Sequence, residues 1–128
     1  MKLKRILIID DDKGLTQMVK LNLEATGNYI ACIENSSTLA AETARRFHPD
    51  LILLDYIMPE MDGGDVASTF QKDPLLRDIP IIMVTALVSN QEMSPSGTVQ
   101  CGGQLMLAKP VKMGNLLKCI EKKLLPSK

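Results

Sequence analysis

The chain has 128 residues, 45% hydrophobic and 23% charged, which is enough for one layered core and too short for two domains. Lys plus Arg and Asp plus Glu number 15 each, so no overall basic field points to direct nucleic-acid binding. No apolar run approaches the length of a membrane span, and Lys2, Lys4 and Arg5 lead straight into a strand rather than a secretory leader; the reading is a single cytoplasmic domain over 1–128 with no membrane contact.

The first strand is predicted over 5–10, where Ile6 to Ile9 run into Asp10, Asp11 and Asp12. An apolar core would not accept adjacent carboxylates, so the run must emerge there. A helix follows over 13–26, with Leu15, Met18, Val19 and Leu23 on one side and Gly27 at its end. Asp12 reads as its N-cap, since Asp is a favoured capping residue. Next come a strand over 29–33 and a helix over 37–47, with Leu39, Ala40, Ala44 and Phe47 inward and Ser36 or Ser37 as cap. His48, before Pro49, reads as a surface loop residue. The strand over 51–55 ends in a second isolated carboxylate, Asp55, and a helix is expected over 64–72. The strand over 80–84 leads into the hydroxyl of Thr85. A fourth helix is expected over 88–99, although Ser94-Pro95-Ser96-Gly97-Thr98 holds a helix breaker and a glycine costing about 1 kcal/mol relative to Ala. The last strand, 104–108, ends at Lys109-Pro110, and the last helix, 112–125, presents Leu116, Leu117, Ile120 and Leu124 before Pro126. Strand and helix alternate throughout, an α/β pattern.

In an open parallel sheet, ligands bind in the crevice outside the carboxyl ends of the strands. Asp10, Asp11, Asp55 and Thr85 should therefore meet at one edge, with Lys109 adding a cation there. Three neighbouring carboxylates repel one another, a cost that a bound cation offsets. Oxygen-only ligands favour a hard ion, and Mg²⁺ fits best because it takes one or two carboxylates and completes its octahedron with waters and phosphoryl oxygens.

Four segments in order, Ile8-Ile9-Asp10-Asp11, Leu54-Asp55-Tyr56-Ile57-Met58-Pro59-Glu60-Met61-Asp62-Gly63, Val84-Thr85-Ala86 and Lys109-Pro110, resemble the receiver domain of two-component response regulators, the phosphoacceptor module related to the chemotaxis regulator. The resemblance covers nearly the whole chain. It implies a three-layer α/β/α, flavodoxin-like doubly wound fold with a five-stranded parallel sheet of order 2-1-3-4-5, an order that also accords with the crevice rule. It also implies a regulatory phosphoacceptor rather than an enzyme. Asp55 would accept a phosphoryl group from a phosphohistidine of a sensor histidine kinase or histidine phosphotransfer protein. Asp10, Asp11, Asp55 and the backbone carbonyl of Ile57 would bind Mg²⁺, and Lys109 and Thr85 would contact the phosphoryl group. Phosphorylation would change the surface formed by the fourth helix, fifth strand and fifth helix, for a downstream effector protein or output domain. The resemblance further implies a cis bond before Pro110 and is compatible with a homodimer.

The chemistry of these residues agrees with the assigned roles. A carboxylate can act as a nucleophile toward phosphorus, and positioned cations supply most of the rate gain in phosphoryl transfer. One departure concerns the switch: the position three residues before Lys109, usually Tyr or Phe in the family, is Met106, so Thr85 cannot act with an aromatic gate. Ile57 and Leu87, each two residues beyond Asp55 and Thr85, cannot orient an attacking water, which predicts slow autodephosphorylation. The alternatives are a phosphate-independent binding module, which the intact acidic set disfavours, and a haloacid-dehalogenase-type phosphatase. The latter wants a second Asp two residues past the nucleophile, where Ile57 stands. Cys32, Cys101 and Cys119 lack metal-ligand spacing and read as reduced thiols. From Met93 onward, six Lys face one acidic residue, Glu121, read as a solvated helix face. No effector domain is expected after Lys128.

Overall fold

Ile6–Ile9, Leu51–Leu54 and Ile81–Val84 are apolar and buried at every position, the pattern required of strands covered on both faces. A computed structural model describes residues 3–55, 58, 63–85, 98–101, 104–108 and 112–124, with 63, 85, 98–101 and 104–108 described by backbone alone. Its elements are β1 (Lys4–Ile9), α1 (Lys13–Ala25), β2 (Tyr29–Glu34), a 3-10 turn (Ser37–Leu39), α2 (Ala40–Phe47), β3 (Leu51–Asp55), α3 (Gly63–Lys72), β4 (Ile81–Thr85), β5 (Thr98–Cys101), β6 (Gln104–Ala108) and α4 (Met113–Leu124). The sheet order is β2-β1-β3-β4-β6-β5, and all neighbours are parallel except β5 and β6.

Alternation along the strands divides the core between the two faces of the sheet. Ile6, Ile8, Leu51, Leu53, Ile82 and Val84 pack with Val19 and Leu23 of α1 and with Leu116 and Ile120 of α4. Leu7, Ile9, Ile52, Leu54 and Met83 pack with Ala40 and Ala44 of α2 and with Val66, Ala67 and Phe70 of α3. This is the expected three-layer doubly wound fold, with the five parallel strands in the expected order.

The additional edge strand corrects the end of the fourth helix expected over 88–99. Thr98 and Val99 lie in β5, paired with Leu107 and Met106; residues 86–97 lie outside the described set. The reason is legible in the chain. Thr98 and Val99 are β-branched and favour extended backbone, and Gly102-Gly103 separates the two paired segments, a dipeptide favoured in two-residue hairpin connections.

Two inward assignments also change. Met18 and Leu39 are exposed at 38% and 47%, while Thr16 is buried in α1. Asp12 does cap α1, accepting from the Leu15 N–H at 3.0 Å. Gly27 ends that helix region at φ +80°, a left-handed conformation that glycine adopts without the Cβ penalty. Exposed His48 closes α2 in the left-handed region, its N–H donating to the Ala44 carbonyl.

Candidate metal centre

The β1 and β3 ladders bring the acidic residues together. Ile9 pairs with Leu54, so Asp10 leaves β1 beside Asp55, the last residue of β3. One carboxylate oxygen from each of Asp10, Asp11 and Asp55 lies within 4.8 Å of the others. Asp10 and Asp55 are buried at 3% and 5% exposure, whereas Asp11 is exposed. The cluster thus has a walled side in the protein and an open side toward solvent.

Local bonds build the turn that carries it. The Asp12 N–H donates to Asp10 Oδ1 at 2.9 Å, closing a turn through which Asp10 holds the start of α1. The Asp10 N–H donates to the Glu34 carbonyl of β2 at 3.2 Å, and Asn35 Nδ2 donates to the Asp10 carbonyl at 2.7 Å. Thr16, one turn into α1, accepts a second bond from Asn35 Nδ2 at 3.2 Å.

The donor set suits a hard divalent cation. Octahedral Mg²⁺ at its usual bond length places ligand oxygens about 2.9 to 4.1 Å apart, so oxygens within 4.8 Å of one another need only a small contraction to share one ion. Among the described residues, no soft sulfur or imidazole ligand belongs to the cluster.

Asp10, Asp11 and Asp55 therefore converge as expected. Thr85 is the last residue of β4, whose neighbour Val84 pairs with Asp55, so its backbone reaches the same edge. Met106 lies in β6 opposite Met83. Ile57, Leu87, Lys109 and Pro110, with the roles and the cis bond expected of them, lie outside the described residues, as do the side chains of Thr85 and Met106. Sequence reasoning missed Asn35. Its signal was present, because a polar residue just past β2 stands at the same carboxyl edge as Asp10.

Among the described residues, no thiol belongs to the cluster. Cys32 and Cys119 are free, and burial pushes the Cys119 thiol above its ordinary range, with Lys122 opposing the shift, which leaves it less reactive at neutral pH. No helix among the described residues is long and apolar enough to cross a membrane.

Fold and cluster together define a doubly wound α/β domain with an acidic centre at the carboxyl edge of its parallel sheet. Residues 6–121 match the family described as Response regulator receiver domain. The chain is 39% identical over 88 residues to the DNA-binding dual master transcriptional regulator RpaA of a Synechocystis species, covering 69% of this chain and 36% of that protein. It is 31% identical over 120 residues to the polar-differentiation response regulator DivK of Brucella ovis, covering 92% of this chain and 94% of that protein. Among solved structures, the N-terminal domain of a response regulator receiver protein from Methanoculleus marisnigri matches with TM-score 0.70 and 30% identity over 98% of this chain and all of that one. The chain belongs to the response regulator receiver domain family of two-component systems. It spans about a third of RpaA but nearly the full length of DivK.

Proposed function

We propose that this chain is a phosphorylation-dependent switch in which Asp55 accepts a phosphoryl group from a phosphohistidine. The observation that carries this reading is the convergence of Asp10, Asp11 and Asp55, oxygen to oxygen within 4.8 Å, with Asp55 at the end of a buried strand and Asp11 open to solvent. A carboxylate fixed at the mouth of a rigid sheet is a positioned nucleophile. An Asp55 oxygen forms the new O–P bond as the P–N bond of the donor breaks, and the electron pair returns to the imidazole.

Asp10, Asp11, Asp55 and the backbone carbonyl of Ile57 are the residues that would hold Mg²⁺. When bound, the ion supplies positive charge against the equatorial phosphoryl oxygens. Lys109 supplies a second positive charge, and the Thr85 hydroxyl donates one hydrogen bond to a phosphoryl oxygen. Thr85 and Met106 would pass the change toward the surface of β6 and α4, with Met106 repacking where the family usually turns an aromatic ring. Neither Ile57 nor Leu87 carries a polar group that could orient water, so the acyl phosphate decays slowly.

The donor is a sensor histidine kinase or histidine phosphotransfer protein, and the recipient of the signal is an effector protein or an output domain. The domain acts over 1–128 as one unit in the cytoplasm. Incubation with Mg²⁺ and acetyl phosphate, read by intact mass, tests the reading. One added phosphoryl group is expected on the native chain and none on Asp55→Ala or in the presence of chelator. An equal gain on Asp55→Ala would reject Asp55 as acceptor.

A further inference from the structure

We propose that Asn35 is a positioning residue for the metal centre: its side-chain amide continues the β1–β2 ladder one step past the end of the strand and fixes the Asp10–Asp11 peptide. This inference rests on the reading of Asp10, Asp11 and Asp55 as Mg²⁺ ligands.

The register shows what the amide replaces. Lys4 to Ile9 pair in parallel with Tyr29 to Glu34, and the next ladder bond, Asp10 N–H to the Glu34 carbonyl, is made at 3.2 Å. In a continuing parallel ladder the Asp10 carbonyl would accept from the backbone N–H of Ser36. That N–H instead donates to Glu34 Oε2 at 3.0 Å, and the Glu34 carboxylate is held by the Thr43 hydroxyl of α2 at 2.6 Å. Asn35 Nδ2 takes the vacated place at 2.7 Å from the Asp10 oxygen.

The orientation of the amide follows from its partners. The Asp10 carbonyl can only accept, so the atom facing it must be the NH₂. Its other hydrogen goes to Thr16 Oγ1 at 3.2 Å, and the Thr16 hydroxyl donates onward to the Lys13 carbonyl at 3.1 Å. The amide therefore ties β1, the end of β2 and the first turn of α1 together.

The consequence falls on Asp11. Its exposed side chain has no hydrogen bond or ion pair among the described residues, so its place in the cluster is set by the backbone that carries it. The bond between Asp10 and Asn35 fixes the peptide immediately before Asp11. Without it that peptide can rotate, and the Asp11 carboxylate loses its alignment with Asp10 and Asp55.

Calorimetric titration with MgCl₂ of the native chain, Asn35→Ala and Asn35→Leu, alongside metal-free thermal melts, tests the proposal. Leu retains the volume of Asn but donates no hydrogen bond. Both variants should bind Mg²⁺ about tenfold more weakly, in line with the loss typical for groups that orient metal ligands, while both still melt cooperatively without metal, a few degrees below native for the lost hydrogen bonds. Native affinity in both variants, or restoration by Leu of what Ala loses, would overturn the role of the hydrogen bond. A native chain that binds no Mg²⁺ would overturn the metal reading itself and this inference with it. A measurement independent of variant folding is the Asn35 side-chain amide resonance. It should move on Mg²⁺ addition with the midpoint of the calorimetric titration, and an unmoved resonance counts against the proposal.

Discussion

Asp11→Asn should stabilise the metal-free protein and abolish its response to Mg²⁺. The Asp11 carboxylate lies within 4.8 Å of Asp10 and Asp55 oxygens and has no hydrogen bond or ion pair among the described residues to lose. Two unit charges at that separation repel by about 0.9 kcal/mol in a water-like dielectric, the appropriate limit for an exposed group. Two such pairs, screened by roughly half at physiological salt, leave about 1 kcal/mol. For a domain of this size that corresponds to a rise of about 3–5 °C in melting temperature. Mg²⁺ at a hundred times its dissociation constant would stabilise the native chain by about 2.7 kcal/mol, more than the repulsion it offsets. Thermal melts of both proteins in EDTA and in Mg²⁺ should therefore cross, with the variant the more stable without metal and the native chain the more stable with it. A variant that melts at or below native in EDTA and keeps the Mg²⁺ shift would show that Asp11 neither repels its neighbours nor binds the ion.

Further predictions concern the edge of the sheet, the core and the phosphoryl lifetime. The Ala31 N–H, at 3.1 Å, and then the Lys20 ammonium, at 3.0 Å, hold the Glu24 carboxyl below its ordinary value of 4.5, while Lys20 also donates to the Ala31 carbonyl at 2.8 Å; the pair thus caps the open edge of β2. A lowered folded pKa contributes stability that is present above the unfolded value and lost as pH falls through the folded one. Urea titrations should accordingly show the native chain losing its advantage over Glu24→Gln below pH 4.5, and a constant difference down to acid pH would contradict the assignment. Phe70→Ala, at a side chain only 1% exposed between α3 and the sheet, should cost about 3–5 kcal/mol by urea denaturation. Replacing Leu87 with Gln or Ile57 with Asn should speed decay of the acyl phosphate, followed by mass against time; unchanged rates would reject their role in its lifetime.

Much of the fold was legible because short apolar runs alternate along the chain with segments of helical periodicity, the pattern of a covered parallel sheet. Leu51–Leu54, a short apolar run bounded by Pro49 and an aspartate, reads as a strand covered on both sides, and the carboxylate that ends it as a residue of the sheet edge. Asp10, Asp11 and Asp55 were readable for that reason. Asn35 was not, because β2 was ended at residue 33, and a polar residue just beyond a strand usually marks a turn. Only the register shows that its side chain extends the ladder. The last two residues of the helix expected over 88–99 belong to a strand instead, because Thr98, Val99 and the glycine pair at 102–103 carry β information that acts only once β6 is available to pair with. Periodicity points Met18 and Leu39 inward, but on α1 the stripe is completed by Thr16, whose hydroxyl accepts from Asn35 and donates to the Lys13 carbonyl.

Borohydride reduction of the protein after reaction with a phosphohistidine donor and Mg²⁺, followed by peptide mapping, identifies which carboxylate carries the phosphoryl group. An aspartyl phosphate is reduced to homoserine, so homoserine is expected at position 55 with Asp10 and Asp11 unmodified. Homoserine at position 10 or 11, or a phosphorylated chain with Asp55 intact, would contradict Asp55 as the acceptor.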